Sequence, residues 1–305
     1  MEKITKPGVY DLPADFYHSD CCDGPSLSST GARAIISTCP AKFKYDRDNP
    51  QEKRAFDLGR AGHLMVLEPE KVDSEIVIVR GFTKQGKPSK GYSTDDAIEQ
   101  RDRAYAAGKT PLLPEEYDAL KAMRDVLWND PVMSKAFMNG KTEQSVFWKC
   151  KETGIWCKMR PDFLPNAVDF MTDYKTTADA GPDGFSRSVF KLGYHQQAAW
   201  YSEGYKEAFG VDLSSFWFIA QEIKPPYLTS AHRVKPYALE AGHLLNIRAR
   251  RIFAWCNENN HWPGYLPTFD GSRVFYDVDM PPWLAREHEA RLETDWYNNI
   301  EGMTP

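Results

Sequence analysis

The chain has 305 residues, of which 42% are hydrophobic and 27% charged, so it can bury a sizeable core and suits one large domain. No run approaches the roughly 18 uncharged apolar residues of a membrane span, and the first residues lack a basic and then apolar order. We therefore predict a cytoplasmic protein without a membrane span. The net charge of −5 offers no global attraction to nucleic acid, so such binding would need a locally basic groove.

The predicted organisation is a single domain over residues 1–305, since no internal repeat or low-complexity linker interrupts the chain. Residues 1–25 are expected to be irregular, residues 26–235 to form the core, and residues 236–305 to be a helical C-terminal portion. Apolar spacing and caps predict helices over 26–38, 54–68, 95–107, 114–128, 185–209 and 239–257, with a polar lysine-containing loop over 83–91.

In the centre of the chain the hydrophobic pattern changes from the period of a helix to that of a strand. Residues 145–149, 156–163 and 168–175 are rich in β-branched and aromatic residues and predict a three-stranded meander. Residues 216–222 predict a further core strand, with 228–234 as its hairpin partner. Strands alternating with helices favour an α/β fold, in which helices flank a central mixed β-sheet.

Two short motifs at this centre carry the chemistry. Arg160-Pro161-Asp162 is followed by Asp173-Tyr174-Lys175, whose aspartate comes eleven residues after Asp162. Residues two apart in a strand point to the same face, so the Asp173 carboxylate and the Lys175 ammonium are predicted to converge. Carboxylates are hard oxygen ligands for Mg²⁺ or Mn²⁺, and a nearby ammonium can orient an attacking water in phosphodiester hydrolysis. An Asp-x-Lys pair can equally be a solvated ion pair at a strand edge.

Two upstream residues agree with this chemistry. His63 closes a G-x3-H motif on the predicted helix over 54–68, and Glu143 immediately precedes the first strand of the meander. Glu143 is a candidate for an additional ligand or a general base. A single histidine on a helix is more often a packed or surface residue, and a glutamate at a strand start is more often exposed.

Downstream, a helical face carries an amide among aromatic residues. Gln197 and Tyr201 are one turn apart, on a face that the predicted helix would share with Phe190 and Tyr194. The aromatic residues can simply pack the helix on the sheet. Gln197 is the exception on such a face, and its amide suits a bond to a bound water or a phosphate.

In this order, G-x3-H, a strand-borne Glu, R-P-D, D-x-K-T-T and Q-x3-Y resemble the PD-(D/E)xK nuclease superfamily. Within it the chain is most similar to the RecE-type (exonuclease VIII) and lambda-exonuclease-like phage exonucleases. Residues 39–45 also resemble the C-P-x-x-F-x-Y segment of that group. The resemblance covers roughly residues 25–210, and it implies a restriction-endonuclease-like fold. Asp173 stands where glutamate is the commoner third-motif acid.

The resemblance implies an exodeoxyribonuclease that degrades linear double-stranded DNA from 5′ to 3′ and requires Mg²⁺ or alternatively Mn²⁺. It further implies a homo-oligomeric ring, a single-strand annealing protein as partner, and a role in phage-type homologous recombination inside a bacterial host cell. Carried over by motif, the catalytic residues are Asp162, Asp173, Lys175, Glu143, Gln197 and Tyr201. The metal ligands carried over are Asp162, Asp173, His63 and the backbone carbonyl of Tyr174. His63 could either ligate the metal or orient another ligand.

The six cysteines are scattered, without CxxC or zinc-finger spacing, so reduced thiols are expected. Related iron–sulfur nucleases carry a tight downstream cysteine cluster. Here only Cys256 follows the predicted catalytic strand, and we therefore predict no iron–sulfur cluster.

Contacts to DNA phosphates are predicted for a few basic residues. Arg33, on the helix nearest the histidine motif, is the preferred candidate for the 5′ end because guanidinium binds phosphate bidentately. Lys42, Lys84 and Lys87 are further candidates, although lysines on loops often serve solubility alone.

Two other functions remain open on the sequence. One is a non-catalytic DNA-binding subunit or an endonuclease of the same fold. The presence of Asp162, Asp173 and Lys175 together disfavours an inactive scaffold. A redox or acyl-transfer enzyme built on Cys39 or a serine is more distant, since the sequence has no G-x-S-x-G and no GxGxxG motif.

Overall fold

The computed structural model describes residues 1–49, 54–166, 170–265 and 278–294. The chain forms two units, Met1–Gly264 and Tyr265–Pro305. In the described part, no helix is long and apolar enough to cross a membrane. Residues 266–277 and 295–305 of the predicted helical C-terminal portion lie outside the described residues. The single domain over residues 1–305 stays a prediction.

The helices, in chain order, are α1 (Ala14–His18), α2 (Ser29–Ser37), α3 (Pro40–Asp48), α4 (Arg54–Leu67), α5 (Val72–Glu75), α6 (Asp95–Ala106), α7 (Pro114–Asn129), α8 (Pro182–Lys191), α9 (Tyr194–Phe209), α10 (Pro236–Glu258) and α11 (Pro282–Glu293). Proline opens several of them, where its missing N–H costs no hydrogen bond. The Ser28 side chain caps α2 by accepting from the Gly31 amide at 3.2 Å.

The strands are β1 (Gly8–Tyr10), β2 (Ser26–Ser28), β3 (Ile76–Ile78), β4 (Thr110–Leu112), β5 (Gly140–Thr142), β6 (Ser145–Lys149), β7 (Trp156–Met159), β8 (Phe163–Pro165), β9 (Phe170–Thr177), β10 (Ser215–Glu222) and β11 (Thr229–Arg233). They form a four-stranded sheet in the order β1-β6-β7-β2 and a five-stranded sheet in the order β11-β10-β9-β8-β5, while β3 and β4 pair separately. Both larger sheets are mixed, since β7 pairs with β2 and β9 with β10 in parallel.

The predicted meander and the single central sheet are wrong. The strand expected over 156–163 is interrupted, because β7 pairs with β6 and β2 while β8 pairs with β5 and β9 in the other sheet. The interruption is Arg160-Pro161-Asp162, and Pro161 has no N–H with which to continue a ladder. Residues 168 and 169 of the third predicted strand lie outside the described residues. Asp162 therefore lies where the chain crosses from one sheet to the other.

Two further predictions need correction. The helix expected over 185–209 is two helices, α8 and α9, because Gly193 adopts a left-handed conformation with φ of 68° that ordinary residues rarely take. Residues 1–25 are not irregular throughout. They contain β1, which pairs with β6, and α1, whose Tyr17 is buried.

The largest core cluster lies where α2, α9 and α10 pack with the strands. Trp200 of α9 is fully buried, and its indole nitrogen donates to the Lys158 carbonyl at 3.1 Å. Phe185, Phe216 and Phe218 are also fully buried and connect α8 to β10. The helix α9 is thereby fixed against β7 and β10, and this fixes the direction in which its polar residues point.

We predict that Gly242→Ala destabilises the fold, because a Cβ there would lie 2.4 Å from the His195 carbonyl oxygen on α9. Backbone cannot yield cheaply, so α10 must move, at a cost of about 1–3 kcal/mol in the free energy of unfolding. Urea denaturation measures this cost. Gly59→Ala is the matched control, since a Cβ at Gly59 meets nothing within 4 Å. Equal stability of Gly242→Ala and the wild type would contradict the close packing of α10 on α9.

Candidate active site

Asp162 and Asp173 are two buried carboxylates that meet at the strand β9. Asp162 precedes β8, and its Oδ2 accepts the Tyr174 amide at 2.8 Å. Asp173 lies inside β9 and is fully buried. Its Oδ1 accepts from the Gln197 amide nitrogen at 2.9 Å, and its Oδ2 pairs with Lys175 Nζ. The prediction that Asp173 and Lys175 share a face of the strand is confirmed.

The pKa values show how strongly the two carboxylates interact. Burial and the charge of Asp162 raise the pKa of Asp173 to about 6, against the opposing effect of Lys175. Burial would also raise the pKa of Asp162, but His63 and Lys175 outweigh burial and lower it. One carboxylate is thus held ionised beside another that resists ionisation, and the site favours added positive charge.

Lys175 is held as a cation in this environment. Burial alone would lower its pKa, but Asp173 and Asp162 outweigh burial and raise it. The ammonium also lies 5.1 Å from the centre of the Tyr194 ring and 5.8 Å from that of Phe218.

His63 of α4 reaches Asp162, with 3.3 Å between its Nδ1 and Asp162 Oδ1. Burial lowers the pKa of His63, but the Asp162 carboxylate outweighs burial and raises it. The imidazole packs edge-on against the Tyr174 ring at 5.4 Å. The Tyr174 hydroxyl donates to Gln221 Oε1 at 2.6 Å, and the Gln221 amide nitrogen donates to the Met123 and Tyr227 carbonyls. The Tyr174 ring against which His63 packs is therefore held in place by buried hydrogen bonds through Gln221.

Glu143 and Tyr201 both form hydrogen bonds with Arg160, in the segment Arg160-Pro161-Asp162. Glu143 does not begin the strand β6; it lies between β5 and β6 in a left-handed conformation, with φ of 53°. Its Oε2 accepts from Arg160 Nε at 2.6 Å. The Tyr201 hydroxyl donates to the Arg160 carbonyl at 3.2 Å. Burial and Asp162 raise the pKa of Glu143, and Arg160 opposes both.

Arg160 joins this segment to two other parts of the chain. Its Nη1 donates to the Leu12 carbonyl at 2.8 Å and to Ser145 Oγ at 2.9 Å. We did not single out Arg160 as a functional residue from the sequence. Arg160 is the first residue of the R-P-D motif, but the residues that it binds are distant from it in the chain.

A cavity of about 450 Å³ lies beside the two carboxylates and is lined by Lys175 and Gln197, which contact Asp173, and by His63, which contacts Asp162. The two carboxylates themselves are not among its described lining residues. Its described lining combines cationic, hydroxyl and amide side chains, and consists of Thr30, Arg33, His63, Lys175, Thr176, Leu192, Tyr194 and Gln197. Arg33 Nη1 donates to the Leu192 carbonyl at 3.1 Å, and its guanidinium lies 5.8 Å from the Tyr194 ring. The structure thus brings Arg33, His63, Lys175 and Gln197 together at one opening.

Other predicted residues lie elsewhere. Lys42, Lys84 and Lys87 are exposed, and they are not among the described residues that line this cavity. Phe190 does not share a face with Gln197, because it belongs to the separate helix α8 and is 56% exposed. Tyr194 does line the cavity, at the first turn of α9.

In the described part of the chain, no three His, Cys, Asp or Glu side chains are grouped as a ready metal site. Two carboxylates are nevertheless a sufficient protein contribution for Mg²⁺, which keeps several waters and takes further oxygens from a phosphate substrate. Gln197 Oε1 is buried and has no hydrogen-bond partner among the described residues, so it can accept from such a water. The donor chemistry therefore fits a hard divalent cation.

A larger cavity, of about 620 Å³, lies between α9, β10 and the start of α10. Its charged residues are largely paired with protein groups: Lys206 pairs with Asp212, and Glu203 with Arg250. Size alone therefore does not identify the chemically active site. The smaller cavity is lined by His63 and Lys175, whose pKa values are raised by the buried carboxylates of Asp162 and Asp173. It is therefore the candidate active site.

Comparison with known proteins agrees with this geometry. A family model described as a PDDEXK-like domain of unknown function (DUF3799) matches residues 29–269. The chain belongs to this family. Among solved structures, a protein of Eubacterium rectale described as a candidate exonuclease has a TM-score of 0.58 and 15% identity, over 89% of this chain and 97% of that one. This second likeness shows a shared fold. A comparison with curated proteins found no match.

We predict that Arg160→Met destabilises the protein by about 2–4 kcal/mol, because Glu143, Ser145 and the Leu12 carbonyl would lose a largely buried partner. Unfolding in urea gives the free energies of Arg160→Met, Glu143→Gln and the double variant. The double variant should lose less than the sum of the single variants, since the charge pair is lost only once. Strictly additive losses would contradict the pairing of Arg160 with Glu143.

Proposed function

We propose that the chain is a metal-dependent deoxyribonuclease that hydrolyses phosphodiester bonds of linear double-stranded DNA, acting as a 5′ to 3′ exonuclease. One observation supports this most directly: two buried carboxylates and the Lys175 ammonium meet beside a cavity that also presents Arg33. The membership of a PDDEXK-like family supports the general chemistry.

Mg²⁺, or alternatively Mn²⁺, is the proposed cofactor. The Asp162 and Asp173 carboxylates would hold it, together with the Tyr174 backbone carbonyl. In an extended strand the N–H and C=O of one residue point to the same side, and the Tyr174 N–H points to Asp162. When bound, such an ion polarises a phosphoryl oxygen and lowers the pKa of a water.

The protein's own groups have separate roles in this proposal. Lys175 donates hydrogen bonds to the attacking water or to a phosphate oxygen. Gln197 fixes the orientation of Asp173, and His63 fixes that of Asp162. The water oxygen forms a bond to phosphorus and loses a proton to solvent, while one ester P–O bond breaks and the departing oxygen takes up a proton from solvent.

Arg33 is the proposed anchor for a phosphate at the end of the strand. Its guanidinium is positioned by the Leu192 carbonyl and by the Tyr194 ring at the cavity. A guanidinium held in this way can bind two phosphate oxygens at once. Glu143 and Tyr201 are proposed to position the Asp162 segment through Arg160.

The digestion polarity, the homo-oligomeric ring and the annealing partner rest on the resemblance to RecE-type and lambda-exonuclease-like proteins. The phage-type recombination role and bacterial host rest on it too. The Eubacterium rectale protein, described as a candidate exonuclease, is consistent with a DNA-degrading activity.

The test is digestion of linear duplex DNA labelled at its 5′ or its 3′ end, with Mg²⁺ or with EDTA. We expect early release of the 5′ label as mononucleotides, and its loss in EDTA. Lys175→Met should lower the rate by at least about 100-fold, because the variant keeps the side chain's bulk but removes the ammonium. Lys121→Met, an exposed lysine of α7, is the matched control and should retain the wild-type rate.

Other outcomes of this experiment would indicate a different function. Metal-dependent cutting of closed circular duplex would indicate an endonuclease. Binding of DNA without any cleavage would indicate a non-catalytic subunit. A wild-type rate in Lys175→Met would contradict the proposed chemistry.

A further inference from the structure

A second cavity, of about 460 Å³, adjoins the candidate active site. Thr176, Leu192 and Tyr194 line both cavities, so the two form a continuous surface. The second cavity extends from these shared residues along the helix α8.

One stripe of α8 faces this cavity. Gly184, Arg187, Ser188 and Lys191 line it, at the three- and four-residue spacing of a single helical face. Val189 of the same helix is buried in the core, as is Phe185, which also borders the cavity. Core packing therefore fixes the face that carries Arg187 and Lys191.

The two cations of this stripe are available to a ligand. Arg187 and Lys191 are both exposed, and neither has an ion-pair partner within residues 1–49, 54–166, 170–265 and 278–294. A lysine in the last turn of a helix is also explained by the helix dipole. Arg187 lies one turn earlier, where that explanation is weak.

Among the described residues that line the cavity, the one carboxylate is that of Asp179, and it is engaged elsewhere. Asp179 Oδ1 accepts the Gly181 amide at 2.9 Å, at the start of α8. The same carboxylate packs so closely over Gly184 that a Cβ there would lie 1.9 Å from Asp179 Oδ2. Its charge is thus tied to the helix N-terminus, whereas Arg187 and Lys191 lie in the later turns of α8.

We propose that Arg187 and Lys191 form a phosphate-binding track for the nucleic-acid strand that passes through the active site. This inference rests on the proposed function and extends it by giving the strand a path along α8. Residues four apart on a helix are separated by about 6 Å along its axis. That separation corresponds to about two nucleotides at about 3.4 Å per nucleotide. The continuity with the catalytic cavity selects a nucleic-acid backbone as the occupant.

The test is the salt dependence of DNA binding by Arg187→Gln/Lys191→Gln. A fluorescein-labelled linear duplex is titrated with protein in Ca²⁺ instead of Mg²⁺, at several KCl concentrations. The slope of log affinity against log salt should become shallower by about 1.4–1.8, since each of the two phosphate contacts contributes about 0.7–0.9. Lys121→Gln/Lys135→Gln removes two other exposed lysine charges, outside both cavities, and should keep the wild-type slope.

The charge-retaining variant Arg187→Lys/Lys191→Arg should recover most of the wild-type slope. A wild-type slope in Arg187→Gln/Lys191→Gln, with binding and cleavage by the wild type intact, would overturn the track but not the nuclease. An equal loss of slope in the Lys121/Lys135 control would also overturn it, because the effect would then be one of total charge. Failure of the wild type to bind or cleave DNA would overturn both proposals.

Discussion

Repulsion between two buried carboxylates is the constraint on which the site depends. Asp162 accepts the Tyr174 amide and Asp173 is the neighbouring residue in β9, so that the charge of Asp162 raises the pKa of Asp173. At Asp173, Lys175 and His63 offset burial and this repulsion only in part, because burial removes the water that would screen the charges. A site of this kind gains free energy when it binds a cation. Binding of a cation would thus explain why the protein keeps two buried carboxylates that repel each other and lower its stability.

The fold supplies this arrangement by interrupting its own strands. Pro161 ends the pairing of one sheet, so that Asp162 can turn back toward β9 in the other sheet. Arg160 then secures the break by binding Glu143 and backbone from the N-terminal segment. The helix α9, which the buried Trp200 anchors to β7, contributes Gln197, whose amide donates to Asp173. The candidate active site is therefore held by contacts between residues that are distant in the chain.

Local sequence patterns predicted many of the helices and strands. They failed where contacts between distant residues determine the structure. The strand over 145–149 and the helix carrying His63 have the predicted spans to within a residue, since each depends on its own apolar spacing. The shared face of Asp173 and Lys175 followed from strand geometry alone. The split of the 156–163 strand between two sheets could not follow, because pairing partners are set by the whole chain. The Arg160–Glu143 pair was missed for the same reason, since Arg160 also binds the distant Leu12 carbonyl. The break at Gly193 had a local signal in the glycine itself, which a helix prediction from apolar spacing overlooks.

Calorimetric titration with Mn²⁺ tests the central claim most directly, because it measures cation binding without requiring DNA or activity. The account predicts that the wild type binds Mn²⁺ and that Asp162→Asn and Asp173→Asn each lose that binding. Glu143→Gln should retain it, since the Glu143 carboxylate is committed to Arg160. Wild-type affinity in both aspartate variants, or no binding by the wild type, would contradict a cation site built on these two carboxylates.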